Sequence, residues 1–207
     1  MPSRMPFSLE QFARLRPYVY HLTHPQYEQQ IRRTFQLEPA ASLLDFAGST
    51  EWWGRRRNKC VQVVVKGQPV IIRDQQPLHE RNIELQPDWS FSRLVAHLNS
   101  HVFFWAGTET GPIPHGERHF HRYRMDKPLI LKVPLASFCA SNPDVPPQFC
   151  KFNSGAPRWA HGKPSPRGAA TFQVAQDCDF RMSDVVEVVF SGPVVLPPET
   201  EFRTDFE

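Results

Sequence analysis

The order in which apolar runs alternate with helical and irregular segments constrains this chain most. Short strand-like runs are separated by single helices in the first half and by loops in the second. A doubly wound parallel sheet needs a long crossover, usually a helix, between neighbouring strands. The pattern therefore predicts an α+β fold with a largely antiparallel or mixed sheet. Strands are expected at Tyr18 to Leu22, Cys60 to Val65, Val70 to Arg73, His101 to Gly107 ("HVFFWAG"), Pro128 to Leu135 ("PLILKVPL") and Val185 to Gly192 ("VVEVVFSG"). The second and third flank a Lys66-Gly67-Gln68 turn.

Helices follow from apolar residues at helical spacing. Ser8 can cap a helix to Leu15, with Leu9, Phe12 and Leu15 on one face. Pro25 suits a first helical turn, and Tyr27, Ile31 and Phe35 form a stripe behind it. Pro39 to Phe46 and Ser90 to Asn99 repeat the pattern, the latter with Phe91, Leu94, Val95 and Leu98 together. Loops are expected at 111–124, 137–149 and 153–168, with a Pro-rich tail after Gly192.

With 207 residues, 40% of them hydrophobic, the chain reads as one domain over 1–207. Mean hydropathy is −0.46, and no apolar run nears the ~20 residues of a membrane span. Met1 to Glu10 lacks the charged and apolar regions of a signal peptide, so a cytoplasmic protein away from membranes is expected. The cysteines Cys60, Cys139, Cys150 and Cys178 have no CxxC spacing, which points to incidental thiols. A net charge of +3 permits nucleic-acid contact without demanding it.

Several residues stand out against this background. His21 and Thr23 alternate onto one face at a strand end, where they either bind a ligand or satisfy local backbone groups. Glu187 sits among valines, a costly place for a carboxylate unless it is paired, solvated in a cleft or working. The other reading is an exposed edge-strand charge. Arg73 either pairs with Asp74 or grips an anion. Phe103, Phe104 and Trp105 cannot share one face, so they fill cores on both sides or leave a ring to stack on a ligand. His115, His119 and His121 have metal-like spacing, but no cysteine or spaced carboxylate completes a set. With Arg118, Arg122 and Arg124 they read better as a basic loop for an anionic partner. Asn153, Ser154 and Gly155 begin a long loop that Arg167-Gly168 ends, a site wall or plain surface.

The succession His-x-Thr strand, helix, Arg-bearing strands, aromatic strand and late Glu strand resembles the ADP-ribosyltransferase superfamily. "YHLTHPQYEQQI" and "VVEVVFSGPVVLPPE" are similar to the DarT-type DNA-modifying branch. The whole chain also resembles a bacterial family of uncharacterised function, through "RDQ", "VFFW", "NSG", "PRG" and "VVE". The superfamily resemblance implies a split β-sheet core with NAD as substrate and no metal. It implies that His21 bonds a ribose hydroxyl and the nicotinamide amide, that Thr23 supports the ribose, and that Phe104 or Trp105 stands near the stacking aromatic. Asn153 and Ser154 would belong to the pocket wall, and Glu187 would stabilise an oxocarbenium-like transition state. Arg73, with Arg57 behind it, takes the place of the family's arginine. Phe-Phe-Trp stands where a tyrosine is expected. DNA or RNA is expected as acceptor ahead of protein, because the basic stretch 115–124 and the Arg55-Arg56-Arg57 run could track phosphates. An RNA 2′-phosphotransferase using NAD and a non-catalytic nucleotide-binding module are the alternatives.

Overall fold

The computed structural model describes residues 7–205. Met1 to Pro6, over which most of the leader-peptide reading falls, lie outside the described residues. Helix α1 (Leu9–Leu15) starts at Ser8, whose hydroxyl accepts from the Gln11 N–H at 3.3 Å. Strand β1 (Tyr18–Thr23) follows, then a 3-10 turn Pro25–Tyr27, α2 (Glu28–Thr34), β2 (Gln36–Leu37) and α3 (Ala40–Phe46). Next comes the hairpin β3 (Val61–Val65) and β4 (Gln68–Ile72). Its Lys66-Gly67 turn has φ of 50° and 77°, which matches the strand twist. Then come β5 (Ile83–Leu85), α4 (Phe91–Asn99), β6 (His101–Thr108) and β7 (Gly111–Pro112). The second half carries α5 (Pro114–Tyr123), β8 (Leu129–Pro134), α6 (Leu135–Ser141), β9 (Gln148–Cys150) and β10 (Ser165–Arg167). Strands β11 (Gln173–Val174), β12 (Glu187–Ser191), β13 (Val194–Val195) and β14 (Glu201–Arg203) complete it.

The fold is α+β, as the segment order implies. The main sheet runs β11-β9-β12-β6-β1-β8-β14, with β7 on β6, and all its pairings are antiparallel. Among the described residues the parallel pairing is β10 with β5, outside this sheet. One sheet face buries Val19, Val102, Phe104, Leu131, Val188 and Phe190 against Phe12 of α1 and Phe138 of α6. The other carries two smaller clusters. Tyr20, Leu22, Trp105 and Ile130 pack with Phe120 of α5, and Val189, Cys150 and Phe172 pack with Leu94, Val95 and Leu98 of α4.

Four sequence expectations are corrected. The His- and Arg-rich stretch 111–124 is mostly helix, not loop. Its buried residues are Gly116 and Phe120, with Tyr123 partly buried beside them, so few apolar residues mark it. A Cβ at Gly116 would lie 2.9 Å from the Trp105 Cβ and 2.7 Å from that of Pro112, so glycine is what lets α5 lie close on the sheet. The stretch 137–149 is part helix, since Leu135 and Phe138 dock α6 on the core. The Pro-rich tail supplies β13 and the sheet-edge strand β14. Finally, strict alternation along Val185 to Phe190 puts Val185 on the face of Glu187, and the structure does not. Val185 packs in the main core with Val188 because regular pairing starts only at Glu187.

No helix among the described residues is long and apolar enough to cross a membrane. The four cysteines are free, and Cys60 is exposed.

Candidate functional site

The sheet is not continuous between β1 and β6. Their pairing ends at Tyr20↔Trp105, while β1 stays paired with β8 as far as Thr23↔Leu129. Beyond Tyr20, therefore, β1 leaves β6. The His21 ring takes up the slack: its Nδ1 is 2.8 Å from the Phe103 carbonyl oxygen. A carbonyl only accepts, so Nδ1 carries the proton and Nε2 is left as an acceptor. Burial drives the His21 pKa down to about 4, and the nearby Arg73 guanidinium adds to this, so the ring is neutral at pH 7.

A cleft of about 1660 Å³ opens at this parting. His21, Thr23, Arg73, Trp105, Asn153, Ser154 and Glu187 all line it. Strict alternation puts His21 on the Val19 face of the sheet and Glu187 on the Trp105 face. The opening of the sheet brings them to one cavity. Glu187, Trp105 and Tyr20 are register partners across three adjacent strands. Two strand spacings thus separate Glu187 from the residue before His21, roughly 10 Å between Cα atoms.

Phe104 is a correction. It is 0% exposed, packs on Phe138 and Phe190, and does not line the cleft. Alternation explains this, because Phe104 shares the face of Val102 and Ala106. It does back the His21 ring, with centroids 5.3 Å apart. Phe103 and Trp105 are the aromatic residues of β6 that reach the cleft.

Glu187 is 3% exposed, not an edge-strand charge, since β12 is paired on both sides. Burial raises its pKa from 4.5 to about 7, against the opposing pull of Ser154 and Arg167. The Ser154 N–H donates to its Oε2 at 3.1 Å. A carboxyl that titrates near neutrality can both hold and release a proton.

The second feature is positive charge. On α5, His115, Arg118, His119 and Arg122 recur at i, i+3, i+4 and i+7, and all line the cleft. The Arg73 guanidinium stacks on the Tyr123 ring at 4.4 Å and makes no ion pair with Asp74. The same holds for Arg118, Arg122 and Arg158: none is in an ion pair among the described residues. Burial, then Arg73, Arg122 and His21, push the His119 pKa down to about 4. Arg158, from the loop across the cleft, acts on His115 behind burial and Arg118, so loop and helix approach each other. Trp159 beside it is 56% exposed.

Arg57 is a wall element. It is 4% exposed, and its guanidinium donates to the Arg73 carbonyl at 2.9 Å and to Asn99 Oδ1 at 3.0 Å. Burial lowers its pKa to about 10, with Asp74 opposing. Among the described residues, no group of three or more His, Cys, Asp or Glu side chains is placed to hold a metal ion.

The sequence assigns His119 and Arg122 to a basic loop for an anionic partner, whereas the structure carries them on a helix, as their spacing with His115 and Arg118 allows. Arg167 has no role in the sequence reading beyond ending a loop. No curated protein and no solved structure matches the chain. The pattern of a family of unknown function, DUF7002, matches residues 17–196, and the chain belongs to that family.

Proposed function

We propose that this chain is an NAD-dependent ADP-ribosyltransferase acting on a nucleic acid. The observation that carries the reading is Glu187: a buried carboxyl, poised near neutrality, that shares a cleft with His21 where the sheet parts. In this reaction the C1′–N bond to nicotinamide breaks, and nicotinamide leaves with the bonding electrons. Positive charge then develops at C1′, and a fixed carboxylate beside it is worth most in a dry site. The acceptor nucleophile attacks C1′, and Glu187 takes its proton. His21, neutral with Nε2 free to accept, suits a ribose hydroxyl. Thr23 supports the ribose, and Trp105, Asn153 and Ser154 line the nicotinamide end. Arg73, Arg118, Arg122 and Arg158, which form no ion pair among the described residues, favour phosphates over a protein acceptor, and exposed Trp159 offers a face for a stacked base.

The test is incubation with labelled NAD and, in turn, DNA, RNA and protein, beside Glu187→Gln. Transfer to nucleic acid by the wild type, absent in the variant, is expected. Transfer retained in Glu187→Gln removes Glu187 from the chemistry, and absence of nicotinamide release by the wild type sinks the whole reading.

A second reading has its own observation. Arg73, His119 and Arg122 gather near His21, the kind of Arg/His set with which an RNA 2′-phosphotransferase grips its phosphate. Mass analysis separates the two: a lasting ADP-ribose adduct marks the transferase, a released ADP-ribose cyclic phosphate the phosphotransferase.

A further inference from the structure

The group nearest in charge to Glu187 is one that the mechanism above leaves idle. Arg167 is 1% exposed and, among the described residues, forms no ion pair. A buried guanidinium without a carboxylate is costly unless its donors are used. Here they are spent on backbone. Nη2 donates to the Asn153 carbonyl at 3.0 Å and Nε to the Ser154 carbonyl at 3.3 Å. Nη1 donates to the Pro166 carbonyl at 2.8 Å and to Ser165 Oγ at 2.6 Å. The guanidinium lies 3.9 Å over the Phe152 ring.

Thus Arg167 touches Phe152, Asn153 and Ser154 in succession. The Asn153 carbonyl and the Ser154 N–H belong to one planar peptide unit. Arg167 holds the oxygen end of that unit, and Glu187 accepts from its hydrogen end at 3.1 Å. A cation on the carbonyl polarises the peptide and strengthens the N–H as a donor. It also fixes the plane, because the next carbonyl is held by the same guanidinium.

We propose that Arg167 is a positioning residue for Glu187: through the Asn153–Ser154 peptide it aims and polarises the N–H that the carboxyl accepts, and so sets how tightly that carboxyl holds its proton. Among the described residues no other charged side chain does this. Cys150, the register partner of Glu187 on β9, is kept neutral by burial, which raises its thiol pKa. On β6 the partner is Trp105, which has no charge, and His21 in the same cleft is neutral.

The consequence for catalysis rests on Glu187 being the working carboxyl. The link itself is a property of the folded protein, and its test needs no NAD. The full chain is labelled at glutamate carboxyl carbons, and the Glu187 resonance is assigned by its loss in Glu187→Gln. Titrations are followed by NMR in wild type, Arg167→Met, Arg167→Lys and Ser165→Ala, with the Ser154 amide proton as second readout. In Arg167→Met the midpoint rises, because a cation that favours the ionised carboxyl is lost, and the Ser154 amide moves upfield. Arg167→Lys keeps the charge without the two-carbonyl grip and falls between. Ser165→Ala loosens one anchor and shifts the midpoint the same way by less. A folded Arg167→Met with midpoint and amide unchanged overturns the proposal. If Arg167→Met does not fold, an unmoved midpoint in both Arg167→Lys and Ser165→Ala overturns it instead. Because the carboxyl is read directly, a failed transfer assay leaves this result standing, and the reverse.

Discussion

Replacing Glu187 by glutamine should make the protein more stable at alkaline pH while it removes activity. The carboxyl titrates at about 7 in the fold, against 4.5 as its ordinary value. At about 1.4 kcal/mol per pH unit, the ionised form is disfavoured in the fold by about 3 kcal/mol. The sign is set by which state holds the proton. Below pH 4.5 the group is protonated folded and unfolded, so it costs nothing. Between 4.5 and 7 the unfolded chain releases the proton and the folded one keeps it, so stability falls as pH rises. Above 7 the full penalty stands. Glutamine keeps an oxygen to accept from the Ser154 N–H and never ionises. The variant's advantage should therefore grow from about 1 kcal/mol at pH 5 to about 3 kcal/mol at pH 8. Urea unfolding of both proteins at pH 5, 6, 7 and 8 measures it, and all other titrating groups cancel in the difference. A difference that stays flat, or shrinks as pH rises, would refute the burial argument for Glu187. A gain in stability with a loss of activity is the mark of a residue kept for function.

Three further outcomes are expected. His21, His97 and His119 all have pKa values pushed down to about 4, chiefly by burial. Being bases, they leave stability intact above about 6.5 and erode it as pH falls toward 4, so thermal melts should drop steeply in that window and His97→Phe should blunt the drop. Phe104→Ala, emptying a fully buried ring site between Phe138 and Phe190, should cost about 3–5 kcal/mol by urea unfolding. Gly116→Ala forces a Cβ into Trp105 and Pro112, so it should destabilise by about 1–3 kcal/mol and weaken nucleic-acid binding measured by fluorescence anisotropy.

The longer strands and early helices were legible because their signals are local. Val102 to Ala106 or Leu129 to Val133 need no distant information to read as buried strand. Glu187 announced itself as a carboxylate among valines, and Asn153-Ser154 as a turn. What stayed hidden depends on partners far along the chain. Helix α5 packs by a glycine and one phenylalanine, so counting apolar residues cannot find it, whereas the spacing of its cations could. Phe104 and Trp105 are adjacent in sequence but fall on opposite faces, and only the register with Glu187 says which face meets the cleft. Arg167 works through carbonyls 13 and 14 residues away, and no composition or period encodes that.

The parting of β1 from β6 has a consequence for how a ligand is read. A closed ladder spends its backbone groups on its neighbours. Here two strand flanks face one another inside the molecule, and peptide groups along them are released from pairing, with one carbonyl taken by an imidazole. A flat amide or a sugar hydroxyl entering the gap would meet main-chain groups beside the His21 and Thr23 side chains. The main-chain share of that recognition is insensitive to which side chains the flanks carry. Truncating them one at a time would therefore understate what holds the ligand, whereas a proline or an N-methylated residue placed in the gap would reveal it.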